Sequence, residues 1–376
     1  MKQLKGNPQN INNEILGKVT FKDVGFFSKK DYVFVTPNTS NFPKGYLAVI
    51  TDVENIETKQ PTMFGVQNLS DLSEGDVVLV TADGTISVLY EIHSIHNAIM
   101  TTERCNHRCI MCPQPPILQE KDKTDFNLKL LSMFDKSTKE IGITGGEPTL
   151  IGDNLFVLIE YIKKHLPDSS ISLLSNGVKF ADYEYTRKLA LTFHHDLQVD
   201  VPIFSDIDTK HNRIVGAKTF YKTIEGLYNL AKFRQKIGLR IVVHKQTYKR
   251  LPQLAEFIYR NFPFVFHVAF MQMETTGLAE QNIDELWIDP YDYRFELEEA
   301  VLNLARRNMR VSVYNSQLCI LQESIWAYAR QSISNWKNIY LPECVSCILK
   351  NECAGFFVSA ENRHSQNISA IQNCIV

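Results

Sequence analysis

The sequence predicts an α/β protein built around a partial barrel of six β/α units. From about residue 97 to 309, short apolar runs alternate with helical periods; the segment before is rich in short β-type runs, and the segment after carries clustered cysteines. A complete eight-unit barrel would need roughly 250 residues. We therefore expect a small β domain at 1–95, the partial barrel at 96–309 and a cysteine-bearing domain at 310–376.

The composition of the chain indicates which broad classes of protein it can belong to. The chain has 376 residues, 44% of them hydrophobic, which is enough for a sizeable core and too long for one domain of ordinary size. A net charge of -2 gives no broad basic face for nucleic acid. The polar start does not resemble a signal peptide, and no apolar run approaches the roughly 18 residues of a membrane helix. We expect a cytoplasmic protein without membrane or nucleic-acid partners.

The first 95 residues carry β-branched and aromatic residues in short runs. In 75–90, apolar and polar residues alternate on both sides of Asp83-Gly84. Asp-Gly between two such runs is a strong hairpin signal. This segment therefore predicts a small antiparallel β domain.

The central segment alternates predicted strands with predicted helices, which implies parallel strands with helices packed outside. The longest predicted helix starts near Thr219, and Gly238 is expected to end it. The six predicted strands are 97–103, 140–144, 170–175, 197–204, 239–244 and 264–271.

The eight cysteines are distributed as metal ligands would be. Disulfides are rare in the cytosol, and clustered thiols in a cytosolic protein more often hold metal. Cys319 and Cys374 stand alone, and the others form two clusters: Cys105, Cys109 and Cys112, and Cys344, Cys347 and Cys353.

The first cysteine cluster directly follows the first strand of the predicted barrel, where α/β barrels bind ligands. Four thiolates cap all the irons of a [4Fe–4S] cluster, so three leave one iron open to a small molecule. The alternatives are a structural zinc site and a redox thiol set. Tetrahedral zinc prefers four protein ligands, and no further Cys or His lies at zinc-finger spacing; His107 is too close to serve.

The spacing Cys105-x3-Cys109-x2-Cys112, with Met111 before the last cysteine, resembles the radical S-adenosylmethionine (SAM) superfamily. The resemblance implies a partial (β/α)6 radical SAM barrel. It also implies that the amine and carboxylate of SAM chelate the open iron. Reductive cleavage of SAM would then yield a 5′-deoxyadenosyl radical that abstracts hydrogen from the substrate.

Segments after the next strands match the same family. The GGEP motif occupies 145–148, and Ser-Asn-Gly at 175–177 replaces the family's Thr-Asn-Gly. After the fourth strand, Ser205 and Arg213 would contact SAM, with a helix N-cap and a surface charge as alternatives. The cofactor-binding residues that the resemblance implies are Met111, Gly145, Gly146, Glu147, Ser175, Asn176, Ser205, Arg213 and the backbone around Ala269.

Strands five and six end near three further polar residues. His244 and Glu274 are expected at the barrel mouth, where Glu274 is a candidate for a substrate or SAM contact. His267 lies inside an apolar run and is expected to be a hydrogen-bonded core residue. The sequence assigns no catalytic base.

The second cysteine cluster, Cys344-x2-Cys347-x5-Cys353, resembles the middle of the SPASM motif of peptide-modifying radical SAM enzymes. The next cysteine of that motif would fall on Phe357, so the match is to a shortened, twitch-like domain. The resemblance implies an auxiliary [4Fe–4S] cluster completed by Cys374, with Cys319 as the rival fourth ligand. A four-cysteine zinc site is the alternative.

Further motifs, among them "RCIMCPQPP", "GITGGEPTL" and "CAGFF", resemble the C-type radical SAM maturases of His-Xaa-Ser systems. This resemblance implies a maturase that modifies a peptide or small protein. Its partners would be a second, B-type radical SAM maturase and an electron donor such as flavodoxin or ferredoxin. The alternatives are a radical SAM enzyme acting on a small molecule or nucleotide, and a non-catalytic cluster-bearing partner of a second radical SAM protein.

Overall fold

The computed structural model describes residues 2–37, 42–54, 56–331, 339–361 and 363–372. Within these, the chain divides into two compact units. The first comprises the residues up to 99 together with 123–142 and 158–170. The second comprises 100–122, 143–157 and the residues from 171 onward.

The first unit contains an eight-stranded sheet ordered β1-β8-β7-β3-β4-β5-β6-β2. Both edge strands belong to one stretch of chain, because β1 and β2 are separated only by Gly6. A side chain at Gly6 would lie 2.6 Å from Val66 Cγ2, so glycine is required where the two edges meet. The strands are β1 Gln3–Lys5, β2 Asn7–Gln9, β3 Ile15–Thr20, β4 Tyr32–Val35, β5 Ala48–Ile50, β6 Thr62–Phe64, β7 Val77–Val80 and β8 Thr85–Tyr90.

The predicted hairpin is confirmed, but the wholly antiparallel arrangement is wrong. Strands β7 and β8 pair antiparallel, and Gly84 in the turn between them has φ +83°. Strands β3, β4, β5 and β6 pair parallel in succession. Residues 21–31, 36–47 and 51–61 connect them, and these segments are long enough for the crossovers that parallel strands need. Residue alternation is the same in both arrangements, so the sequence could not separate them.

The second sheet has eight strands in chain order, from β9 at one edge to β16 at the other. The strand pairs from β11 to β16 are all parallel, and the sheet forms a curled half-barrel, as predicted. The strands are β9 His96–Met100, β10 Glu140–Thr144, β11 Ser170–Leu174, β12 Leu197–Pro202, β13 Lys236–Val243, β14 His267–Gln272, β15 Val311–Tyr314 and β16 Ala329–Arg330.

The predicted strands correspond to β9–β14, while β15 and β16 continue the sheet beyond residue 310 unpredicted. These two are only 4 and 2 residues long, too short for a recognisable period. The three-domain division remains a prediction. The helices are α1 Thr124–Ser132, α2 Asn154–His165, α3 Tyr183–Leu191, α4 Asp208–Val215, α5 Phe220–Lys232, α6 Leu251–Asn261, α7 Leu278–Gln281, α8 Ile283–Leu286 and α9 Arg294–Ala305.

The expected role of Gly238 as a helix stop is wrong. Helix α5 ends at Lys232, and Arg234 takes the left-handed conformation with φ +56°. Gly238 lies inside β13, where a side chain would overlap the Asp200 carboxylate of β12. The glycine is needed for a contact across the sheet, which sequence periodicity does not reveal. Among the described residues, none of the helices has both the length and the apolar character to cross a membrane.

Candidate functional site

The three-cysteine loop follows β9 and is held by backbone hydrogen bonds. Arg108 N–H donates to the Val215 carbonyl and Ile110 N–H to the Ile214 carbonyl, both at 3.0 Å, which fixes the loop against the end of α4. At its far end, Leu278 N–H donates to the Cys112 carbonyl at 2.8 Å. The cysteine positions are therefore set by residues about 100 and 170 positions further along the chain, a dependence that only the tertiary structure supplies.

The thiols of this loop are half-buried and close enough to influence one another. Burial, together with a smaller effect of the neighbouring thiols, raises the pKa of Cys105 to about 11 and that of Cys109 to about 12. Three thiolates cannot accumulate here without compensating positive charge, which a bound metal centre would supply. The donor set and its position after the first barrel strand fit a cluster held at three corners.

His107 does not contribute to this donor set. Its side chain is 4% exposed, and Nε2 lies 2.9 Å from the Thr219 hydroxyl. Burial lowers the pKa of His107 to about 4, so the ring stays neutral. The spacing indicates that His107 is too close to the cysteines to serve well as a ligand, and its ring nitrogen lies instead beside Thr219.

The GGEP segment packs directly against the chain that leads into the cysteine loop. Gly146 N–H donates to the Thr102 carbonyl at 2.7 Å, and Glu147 N–H donates to the Arg104 carbonyl at 2.8 Å. A side chain at Gly145 would overlap the Thr102 carbonyl oxygen, and one at Gly146 would overlap that of Arg104. Both glycines are thus required for this close approach; contacts of these residues with SAM remain a prediction.

Glu147 connects the GGEP segment to the Ser-Asn-Gly segment. Its carboxylate is 1% exposed and accepts hydrogen bonds from the Ser175 hydroxyl at 2.8 Å and from Asn176 N–H at 2.6 Å. Thr149 donates to it from both N–H and hydroxyl, at 3.1 and 2.7 Å. Burial raises the pKa of Glu147, while these bonds favour the charged form. Sequence reasoning assigned this carboxylate to SAM, whereas in the structure its oxygens are engaged by protein donors.

Asn176 also joins this network to the cysteine loop. Its side-chain amide donates to Asn106 Oδ1 at 2.6 Å, and its Oδ1 accepts from Val178 N–H at 3.0 Å. The structure thus brings together the first cysteine cluster, GGEP and Ser-Asn-Gly, the three segments that the sequence singled out. Asn106, between the first two cysteines, was not predicted, and its polar side chain in that loop was the only available signal.

Ser205 and Arg213 make the contacts of the alternatives considered for them. The Ser205 hydroxyl is buried and accepts from Ile207 N–H at 3.1 Å, in the turn that leads into α4. Arg213 is exposed, with Nη2 3.8 Å from a carboxylate oxygen of Glu285. Their predicted roles in SAM binding remain untested by these contacts.

The remaining predicted positions lie in the cysteine loop and on or after β14. Met111 is 5% exposed and packs in an apolar cluster with Phe204 and Met273. Ala269 is buried on β14. Glu274 follows the same strand and is half-buried, so it remains a candidate contact.

The histidines on strands five and six have different environments. His244, just after β13, is 1% exposed, and its Nε2 has no hydrogen-bond partner among the described residues. His267 Nε2 lies 3.0 Å from the Ser312 hydroxyl, so it is hydrogen-bonded as expected, but it is half-buried and not part of the core.

Two charged side chains inside central strands were not predicted as functional residues from the sequence. Asp200 lies on β12 and Arg240 on β13, in strands otherwise dominated by buried aliphatic residues. The sequence contained a signal for both residues, because a charged side chain within an apolar strand lies on the face opposite its aliphatic neighbours.

The second cysteine group lines one cavity. Cys319, Cys344, Cys347 and Cys353 all contribute to its wall, together with Tyr340. Burial raises the pKa of Cys319, and the three other thiols raise it further, so the four lie near one another. Cys374, the predicted fourth ligand, lies outside the described residues. Within the described ranges, no three His, Cys, Asp or Glu side chains are gathered as they would be around a single metal ion.

Comparison with known proteins extends these observations. Residues 99–258 match the profile of the Radical SAM superfamily. A stretch of 172 residues is 31% identical to the tungsten-containing aldehyde ferredoxin oxidoreductase cofactor-modifying protein of Pyrococcus furiosus, covering 42% of this chain and 46% of that protein. A GTP 3',8-cyclase of Nautilia profundicola is 24% identical over 212 residues, covering 54% of this chain and 64% of the enzyme. The chain thus spans about half the length of these curated relatives.

Among solved structures, native anSMEcpe with bound AdoMet and Kp18Cys peptide aligns with a TM-score of 0.51 at 16% identity. The alignment covers 74% of this chain and 92% of that one, and it shows a shared fold. The half-barrel, the cysteine loop after its first strand and the profile match agree with one another. Residues 99–258 thus form a segment similar to the Radical SAM superfamily, in both sequence profile and fold.

Proposed function

We propose that this protein is a radical SAM enzyme that modifies a peptide or small protein. One observation carries the proposal: three thiols lie after the first barrel strand, with GGEP and Ser-Asn-Gly hydrogen-bonded to the same loop. A metal-free thiol set would have no need of two further segments locked around it. The proposed reaction is reductive cleavage of SAM to a 5′-deoxyadenosyl radical, followed by hydrogen abstraction from the substrate.

In this proposal the residues of the chain position SAM and shield the site from water. Cys105, Cys109 and Cys112 would hold a [4Fe–4S] cluster, which when bound supplies one electron to the sulfonium of SAM. Glu147 and Asn176 keep the adjoining loops in register with the cysteine loop. The apolar cluster that contains Met111 excludes water beside the loop.

We further propose a second [4Fe–4S] cluster on Cys344, Cys347 and Cys353. Cys319 is our choice for the fourth ligand, because it lines the same cavity as these three, and Cys374 is the rival. Four thiolates would cap every iron, so this cluster would relay electrons without binding substrate.

The peptide substrate is inferred from two features. The spacing of the second cysteine group resembles the SPASM motif of peptide-modifying enzymes, and a structural neighbour of the same fold was solved with a peptide bound. On the resemblance to His-Xaa-Ser maturases, we propose a B-type radical SAM enzyme and a flavodoxin or ferredoxin as partners. We propose a cytoplasmic location, because clustered thiols that hold metal are typical of a reducing compartment.

A second candidate is a radical SAM enzyme acting on a small molecule or nucleotide. The similarity to GTP 3',8-cyclases supports it, although the match covers 64% of the enzyme from Nautilia profundicola. A chain that holds a cluster but does not cleave SAM is the third, and the intact GGEP segment disfavours it.

The decisive experiment is anaerobic reconstitution with iron, sulfide, SAM and a reductant. Two clusters predict about eight irons per chain and formation of 5′-deoxyadenosine. The variant Cys112→Ser should lose about four irons and all deoxyadenosine, while Ser346→Ala, next to a cysteine of the second group, should retain both. Absence of deoxyadenosine from the wild type, even with its cognate peptide present, would contradict the proposal.

A labelled substrate separates the two enzymatic candidates. Deuterated His-Xaa-Ser peptide should transfer deuterium into deoxyadenosine, whereas GTP should not accelerate SAM cleavage. Acceleration by GTP, with no deuterium transfer from the peptide, would favour the nucleotide candidate.

A further inference from the structure

One face of strands β12–β15 carries polar side chains in register, and we call Asp200, Arg240, His267 and Ser312 the polar face. Arg240 is opposite Ala269, which is opposite Ser312. One step towards the amino ends, Asp200 is opposite Gly238, which is opposite His267. Intervening residues of β13, such as Leu239 and Ile241, are 0% exposed and aliphatic. The polar residues therefore share the face opposite the aliphatic packing.

Asp200 is fully engaged by protein donors. Its carboxylate accepts from the Ser172 hydroxyl and from Gln198 Nε2, both at 2.8 Å. The missing side chain of Gly238 makes room for it. Asp200 is thus held at a fixed position beside Arg240 without forming an ion pair with it.

Arg240 is the exception on this face. Within the described ranges it forms no ion pair, and its Nε and Nη2 each lie 3.4 Å from the Met271 sulfur, a weak acceptor. Burial lowers the pKa of Arg240. Arg240 is half-buried, and the nearby charge of Asp200 offsets part of the lowering of its pKa. A partly desolvated guanidinium without a hydrogen-bonded anion is still costly, and proteins normally pair such groups.

Lys236 shows what a satisfied cation on the same strand looks like. Lys236 lies four residues before Arg240 on β13, with Gly238 midway between them. Because side chains of a strand alternate between its two faces, those of Lys236 and Arg240 lie on the same face. Lys236 Nζ lies 2.9 Å from Asp196, a carboxylate of this chain. The contrast points to a partner for Arg240 outside the described residues of the chain.

We propose that Arg240 binds a carboxylate of the substrate inside the half-barrel. The planar guanidinium matches a carboxylate with two parallel hydrogen bonds, and Arg240 lies three residues before the carboxyl end of β13. Its neighbour in register, Ala269, is a predicted SAM contact, so the bound group would lie beside the reacting centre. This inference rests on the proposed function, because it names the chemical group by which a peptide substrate is oriented.

The first test needs no catalysis. Thermal unfolding of the purified protein is followed in sodium acetate against sodium chloride of equal ionic strength. Acetate should raise the unfolding midpoint of the wild type and of Lys236→Gln, and Arg240→Gln should show at least a tenfold weaker apparent affinity for acetate. An equal acetate response in wild type and Arg240→Gln would overturn the proposal.

Two further measurements identify which ligand supplies the anion that Arg240 binds. SAM binding to reconstituted Arg240→Gln should stay within threefold of wild type; a loss of tenfold or more would assign the carboxylate to SAM and overturn the substrate site. Inorganic phosphate should protect less than acetate, and stronger protection by phosphate would overturn the proposal in favour of a phosphate-bearing ligand. If Arg240→Gln does not fold, Arg240→Lys replaces it in the test. This variant keeps the positive charge but loses the two parallel donors of the guanidinium, so its acetate response should be intermediate.

The same data separate this inference from the proposed function. Wild-type protein that forms no deoxyadenosine, yet responds to acetate through Arg240, would remove the enzyme and keep the anion site. Wild-type protein that cleaves SAM, with no difference between the acetate responses, would keep the enzyme and remove the site.

Discussion

The backbone N–H of Asn176 donates a 2.6 Å hydrogen bond to the buried carboxylate of Glu147, which joins the segments that follow β10 and β11. The same asparagine reaches the cysteine loop through Asn106. A single buried acid thus links the three segments of the proposed SAM site. Because the acid accepts four hydrogen bonds from protein donors, its side chain stabilises the arrangement of the loops.

Replacing this acid should disturb both stability and SAM binding. In Glu147→Gln, the amide nitrogen would face a donor, so one buried N–H or hydroxyl loses its acceptor. We expect the free energy of unfolding to fall by about 3 kcal/mol and SAM binding to weaken about tenfold. Urea unfolding and equilibrium dialysis measure the two effects. Glu184→Gln, an exposed acid paired with Arg187, should change stability by no more than about 0.5 kcal/mol; an equal effect of both variants would contradict this role for Glu147.

Gly146→Ala tests whether the GGEP segment must touch the cysteine loop. The added methyl group would overlap the Arg104 carbonyl oxygen, which is backbone and cannot move aside alone. We expect a loss of about 2–3 kcal/mol in unfolding free energy and reduced iron content after reconstitution. Gly152→Ala is the matched control, because its φ is +63° but no atom lies within 4 Å of the added methyl group. It should cost only its strained backbone conformation, with φ +63° and ψ −133°, about 1–3 kcal/mol, and it should keep its iron, which is the measurement that separates the two variants.

Cys319→Ser tests the composition of the second cluster. Because Cys319 lines the same cavity as the other thiols of that group, its loss should reduce iron from about eight to about four per chain. Iron and acid-labile sulfide analysis measure the change. Cys374→Ser should retain about eight irons; the reverse pattern would assign the fourth ligand to Cys374. Zinc in place of four irons would point to a structural zinc site.

His244 should make stability depend on pH in mild acid. Burial lowers the pKa of His244 to about 4, against about 6.5 for an unperturbed histidine. Between these values the unfolded chain binds a proton that the folded chain does not, so stability falls as pH decreases from 6.5 to 4. The expected slope from this residue is up to about 1.4 kcal/mol per pH unit.

The variant His244→Asn isolates that contribution. Asparagine can still accept the hydrogen bond that Gln246 N–H donates to His244 Nδ1 at 3.2 Å, but it does not titrate. Urea unfolding between pH 4 and 7.5 should therefore show a shallower dependence for the variant. Parallel curves for the two proteins would show that His244 is protonated equally in the folded and unfolded states.

Local features of the sequence were sufficient for the half-barrel and the cysteine loop. Short apolar runs between helical periods predict the strands β9–β14. These patterns depend only on residues close together in the sequence. The spacing of Cys105, Cys109 and Cys112 is likewise local, so the radical SAM resemblance needed no knowledge of the fold.

Contacts between distant residues could not be predicted in the same way. Gly238 was expected to end a helix, but it lies in β13 because Asp200 of the neighbouring strand fills the space above it. The parallel order of β3–β6 depends on how long connections cross the sheet, which residue alternation does not encode.

The sequence by itself determined which chemistry this chain carries: its cysteines, its glycines and the strands that present them. Only the tertiary structure decided which of these groups meet. Cys319 and Cys353 line one cavity, and Arg240 forms no ion pair with any described residue. The physical reason is that the periodicity and spacing of residues are local properties, whereas burial and register are set by residues far apart along the chain.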